Sequence, residues 1–100
     1  MTIRNKEDAQ RVLRRVPDEK SFYTHDGKTL NNLFELKGAL EKMDNATYNH
    51  HVTDEKNDFS RWVHEILGDD KLANDLKKVL TQKDACKLVA DRILWLKDRA

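Results

Sequence analysis

Apolar residues recur along this chain at steps of three and four, the interval that gathers side chains on one face of an α-helix. Ala9, Val12, Leu13 and Val16 mark the first stripe, from about Asn5 to Val16. Asn5 has the chemistry of an N-cap. Glu7 and Asp8 follow it, and Arg14 and Arg15 lie near the other end, as the helix dipole favours. Pro17 ends the stripe, because the residue before a proline resists the α region. Between residues 21 and 30 the period changes. Phe22, Tyr23 and Thr24 favour a strand and Asp26-Gly27 is a two-residue turn signal, so a short β-hairpin, or a strand followed by a turn, is expected there.

Leu33, Leu36, Leu40 and Met43, with Ala39 and Phe34 beside them, predict a second helix opened by Asn32 and Glu35 at capping-box spacing. Gly38 interrupts it at a cost of about 1 kcal/mol relative to alanine, and would let another element come close. The stretch from Asp44 to Thr53 reads equally as a short helix capped by Asp44 or Asn45, or as an extended segment. Phe59, Trp62, Val63, Ile66 and Leu67 give the clearest stripe, from about Asp58 to a stop at Gly68. Leu72, Ala73, Leu76, Val79 and Leu80 predict the next helix, capped by Asp69 or Asp70. Thr81 and Asp84 open the last one, with Ala85, Leu88, Val89, Ile93 and Leu96 facing inward. Cys86, Ala90, Leu94 and Trp95 broaden that helix beyond one face. The expected architecture is a mainly α compact bundle of about five helices with a short hairpin, in a single domain spanning residues 1–100.

Composition narrows the function classes. Lys and Arg number 19 against 18 Asp and Glu, for a formal charge of +1. A dedicated nucleic-acid binder normally carries a basic excess or a one-sided basic stripe. The single cysteine, Cys86, rules out an internal disulfide and fits a reducing, cytoplasmic compartment. The polar N-terminus lacks an apolar signal region, and no stretch has the length of a membrane span, so a membrane partner is not expected.

The segment His51, Asp58-Phe59, Trp62, Leu67-Gly68-Asp69 and Leu72-Ala73 has the form His-x6-Asp-Phe-x2-Trp-x4-Leu-Gly-Asp-x2-Leu-Ala. With Phe22-Tyr23, Asp26-Gly27, Leu33, Leu36 and Leu40 it resembles a small uncharacterised family of archaeal and bacterial proteins, over Phe22 to Ala73. The resemblance implies a prokaryotic, cytoplasmic protein, archaeal in type, and carries no activity with it.

Candidate chemistry is sparse. Tyr48, His51 and Asp58 form the most interesting polar set, since a carboxylate beside an imidazole fixes its tautomer. The plainer account has Asp58 capping a helix and His51 satisfying a backbone group. His25, His50, His51 and His64 invite a metal, but adjacent His50 and His51 diverge and no His-x3-His pair exists. Cys86, Ser21 and Ser60 lack the surroundings of a nucleophile, and the three glycines are too far apart for a phosphate loop. No cofactor is expected.

Three functional readings follow. The first is a protein–protein interaction or regulatory module in which the last helix, through Leu94 and Trp95, meets a protein partner or a second copy. The second is a nucleic-acid-associated protein with Arg4, Arg11, Arg14 and Arg15 of the first helix aligned on phosphates. The third is an enzyme or ligand sensor around Tyr48, His51 and Asp58.

Overall fold

The computed structural model describes residues 2–100. It is mainly helical. Helix α1 spans Lys6–Leu13, the hairpin strands β1 and β2 span Phe22–Tyr23 and Thr29–Leu30, and α2 spans Leu33–Lys42. Then come α3 (Asn45–His51), α4 (Asp58–Trp62), α5 (Asp70–Leu76) and α6 (Gln82–Arg99). The stretch whose sequence suited either helix or extended chain is α3, so among the described residues six α-helices stand where about five were expected. Asp44 decides it: its carboxylate accepts from the Thr47 N–H at 2.8 Å, and Thr47, Tyr48 and His51 turn inward.

Helix α1 stops at Leu13, short of the expected Val16. Arg14 is already extended, and the Val16 N–H donates to the Asn31 carbonyl at 2.8 Å. The chain therefore leaves the helix to bind the start of α2 before Pro17 is reached. The hairpin also differs from the tight turn expected. Phe22 pairs with Leu30 and Tyr23 with Thr29, which leaves residues 24–28 as the connection. Thr24 closes it from within. Its N–H donates to the Lys28 carbonyl at 2.9 Å, and its hydroxyl accepts from the Lys28 N–H at 2.8 Å. Gly27, at φ 92°, takes the left-handed position.

Asn32 caps α2, accepting from the Glu35 N–H at 2.8 Å. Glu35 reaches back to the Asn31 N–H, one residue earlier than a standard capping box. Beyond Trp62, α4 widens into one π-helical turn over Val63–Leu67. There Gly68, at φ 82°, donates its N–H to the Val63 carbonyl at 2.8 Å. The next helix is shorter than its stripe. Leu72, Ala73 and Leu76 are buried, but α5 ends at Leu76 and Leu80 stands 89% exposed. Its last turn closes early: the Lys78 N–H donates to Asp75, and the Asn57 side-chain amide takes the Leu76 carbonyl.

One core joins these elements. Val12 of α1, Leu33, Leu36 and Leu40 of α2, Phe59 and Val63, Leu72 and Leu76 of α5, and Val89 and Leu96 of α6 are all essentially inaccessible. Helix α6 is the spine, packing on α1, α2 and α5. Among the described residues, no helix is long and apolar enough to cross a membrane.

Candidate functional site

Tyr48, His51 and Asp58 do come together around the start of α4, but as a packed joint. Tyr48 is 2% and His51 5% exposed. The Tyr48 ring stacks on Phe59, with centroids 5.8 Å apart, and the His51 ring packs against both Phe22 and Phe59, at 5.1 and 5.2 Å. Nε2 of His51 accepts from the His25 backbone N–H at 2.9 Å. That nitrogen is therefore the unprotonated one, and Nδ1–H donates to Asp58 Oδ2 at 3.0 Å. With both ring nitrogens engaged, the imidazole has no lone pair or proton free for a substrate. His51 thus satisfies a backbone group, and it pins the hairpin tip to α3 and α4.

Asp58 is not the cap of α4. Asn57 holds that role, accepting from the Ser60 N–H at 3.0 Å. Asp58 sits one residue inside and faces His51, Lys56 at 2.9 Å and Arg61 at 3.9 Å. Burial pushes its carboxyl up, but the hydrogen bonds from Lys56 and His51 outweigh that and hold it below the usual carboxylate value. Its stabilising effect is therefore complete above about pH 4 and is lost as the pH falls through the lowered native value. Asp58→Asn should flatten the acid limb of the stability curve while lowering the plateau; an acid limb identical to that of the parent would refute this linkage. For Tyr48, burial and then the charge of Asp84 raise the phenol, which takes it further from acid–base work at neutral pH.

Three imidazoles nevertheless meet at this corner. The rings of His25 and His50 stack at 3.8 Å and 15°, and His50 meets His51 edge-on at 5.0 Å. Desolvation, then repulsion from His25, His51 and Lys56, pull His50 below the ordinary imidazole value. His64 lies elsewhere, on Asp70 at 2.7 Å. Among the described residues no group of His, Cys, Asp or Glu has the convergence a metal needs.

The four arginines of the N-terminal segment do not share a helical face. Arg4 precedes the Asn5 cap, and Arg14 and Arg15 follow the last helical residue. Arg11 pairs with Asp8 at 3.5 Å. Arg15 meets Glu35 at 3.8 Å and donates to Asn31 at 3.2 Å.

Leu94 and Trp95 are adjacent in sequence but face different neighbours. Trp95 lies on the α5 side, half-buried between two guanidinium groups, Arg92 at 4.0 Å and Arg99 at 3.7 Å from the ring centre. Arg92 also grips the fully buried Asp69 through two hydrogen bonds of 2.7 and 3.0 Å. Trp95 is thereby built into the α5–α6 joint. Leu94 is 67% exposed, one helical step away toward α2.

That α2 side carries an open valley. Gln82 donates to the Leu40 and Met43 carbonyls and the Cys86 thiol reaches the Lys37 carbonyl at 3.8 Å, so the two helices run antiparallel. Continuing this register by one turn brings Ala90 abreast of the Leu33–Phe34 turn, with Leu94 a turn further on. A groove of about 550 Å³ lies between the helices, lined by Lys37, Leu40, Glu41, Cys86, Lys87 and Ala90 among others. Gly38 does not admit a packed element: a side-chain carbon placed there would meet nothing within 4 Å. Burial, then Glu41, push the Cys86 thiol up against the opposing effect of Lys37, so it is a groove-lining apolar group and not a nucleophile. A second groove, about 720 Å³, lies between the 52–57 loop and the ends of α4 and α5. It is lined by charges of both signs, including Asp54, Glu65, Lys56 and Lys77.

No family model, curated protein or solved structure matches this chain.

Proposed function

We propose that this chain is a protein–protein interaction module and that it docks its partner on the outer valley between α2 and α6. What supports the reading is a groove lined by Leu40, Cys86 and Ala90, along whose extension the helix register carries the exposed apolar side chains of Phe34, 42% exposed, and Leu94, 67% exposed. Scattered apolar residues on a surface are ordinary, but apolar groups bordering a concave strip between two helices are what a helical ligand uses. Burying side chains such as these contributes about 1.5–3 kcal/mol each. The catalytic reading has less support, because His51 has no free nitrogen. The nucleic-acid reading has less too, because Arg11 and Arg15 face acids. A cytoplasmic setting fits the lone, half-buried Cys86.

The test is photo-crosslinking in cells that make the protein, with a photoreactive phenylalanine analogue replacing Leu94. A discrete adduct to another polypeptide is expected, and it should disappear when Phe34→Ser is added. The same analogue replacing exposed Glu19, outside the valley, serves as control. Adducts no different from those at the control position would overturn the docking face.

A further inference from the structure

The charges around the valley narrow the partner. Lys37, Lys83 and Lys87 line it, and Lys97 lies one turn beyond Leu94, three residues on along the same side of α6. Against them stand Glu41, bonded to Lys37 at 2.7 Å, and Asp91, bonded to Lys87 at 3.0 Å. Among the described residues, Lys83 and Lys97 have no carboxylate partner, so the rim is basic although the chain as a whole is nearly neutral. An apolar strip framed by ammonium groups matches one kind of ligand in both respects. We infer that the valley receives an acidic amphipathic helix, with leucine-like side chains seated against Ala90 and, along the register, Phe34 and Leu94, and carboxylates facing first Lys83 and Lys97, with Lys37 and Lys87, already paired to Glu41 and Asp91, adding to the basic rim.

The inference rests on the docking reading above and adds the partner's chemistry to it. A phosphate-bearing ligand would use the lysines but leave Phe34 and Leu94 in water. A second copy of this chain would set lysine against lysine at much of the rim, which opposes association. Complementary charge acts mainly on the rate of encounter, so binding should weaken severalfold from low to physiological salt.

The experiment uses the whole chain and two peptides of about 20 residues, long enough to hold a helix. One carries leucines on one face and glutamates on the other; its counterpart carries lysines in place of the glutamates. Calorimetry gives affinity, and amide chemical shifts show where each binds. The glutamate peptide should bind, with shifts confined to residues 34–41 and 83–97. Lys83→Glu combined with Lys87→Glu should weaken it about tenfold, whereas Lys77→Glu combined with Lys78→Glu, on the α5 side, should not. Leu94→Asp should also weaken it, and since Leu94 is exposed the fold should persist, as circular dichroism would show. Equal binding of the lysine peptide, or occupation of the valley by a second copy or by anionic lipid vesicles in place of the glutamate peptide, overturns the acidic partner. In the first two cases the docking reading survives if Leu94→Asp still abolishes binding. If no peptide perturbs the valley and position 94 gives no specific adduct, both fall.

Discussion

Asp69→Ala should lower the unfolding free energy by about 3–5 kcal/mol, the usual consequence of orphaning one member of a buried ion pair. Such a loss is a large share of the roughly 5–15 kcal/mol that holds a domain together. Asp69 does two jobs. Its Oδ1 accepts from the Leu72 N–H at 3.2 Å and so caps α5. Both oxygens also take the Arg92 guanidinium of α6. Capping alone accounts for about 1 kcal/mol. The rest comes from Arg92, which is left charged and largely enclosed at 13% side-chain exposure.

Arg92→Ala should cost a similar amount, because it leaves a carboxylate with no accessible surface and only the Leu72 N–H for company. It also uncovers one face of Trp95, so its fluorescence should shift toward that of a more solvated indole. The double variant should lose clearly less than the sum of the two. Urea unfolding of the three variants decides it: strict additivity would mean that the pair is not coupled in solution. Asp69→Asn keeps an acceptor for the cap and removes the charge, so its midpoint should fall between those of the parent and Asp69→Ala.

The Asp69–Arg92 pair also marks the limit of what the chain reveals before it folds. Asp69 as a cap is a local fact, readable from its place between Gly68 and the Leu72-Ala73 stripe. Its partner is 23 residues away on another helix, and nothing in the spacing connects them. The same division runs through the fold. The inner stripes of α2 and α6 and the left-handed stop at Gly68 follow from periodicity and caps, and all are present. What differs is set by tertiary contacts. Val16 leaves the first helix because the Asn31 carbonyl is available to it. Leu80 falls outside α5 although it continues the stripe, because Asn57 closes the helix from another element.

At the candidate sites the same rule holds. The proximity of His51 and Asp58 was legible as a loop bracketed by two polar residues. The backbone of His25, which occupies the second ring nitrogen, was not. Leu94 and Trp95 read as one surface because they are neighbours in sequence. A step of about 100° per residue assigns them to opposite flanks of α6, and which flank stays open depends on where α2 and α5 dock. Cys86 and Ala90 are individually unremarkable small residues, and with Leu40 they become a valley floor only when the antiparallel pairing of α2 with α6 is known.

Trp62→Ala should cost about 3–5 kcal/mol and bring the domain close to losing cooperative unfolding. The side chain is 7% exposed. Its ring meets Phe22 edge-to-face at 5.8 Å and 71°, while Phe22 stacks on Phe59 at 5.1 Å and 23°. Removing the indole therefore leaves a void at one end of an aromatic row that joins the hairpin to α4, and rigid rings collapse into such a void poorly. The polar end contributes separately: Nε1 donates to the Lys20 carbonyl at 2.8 Å, fixing the short Asp18–Lys20 turn against α4. Trp62→Phe keeps most of the apolar contact and loses only this bond. Because Lys20 lies at the surface, water can replace the donor, and the expected loss is about 1 kcal/mol. The two substitutions thus separate packing from hydrogen bonding at one position. Trp62→Phe also leaves Trp95 as the only indole, so its emission follows the α5–α6 joint alone while circular dichroism follows the whole fold. Coincident urea transitions from the two probes are expected of a single core. Equal losses for Trp62→Ala and Trp62→Phe would show that the bond to Lys20, and not the aromatic row, is what Trp62 contributes.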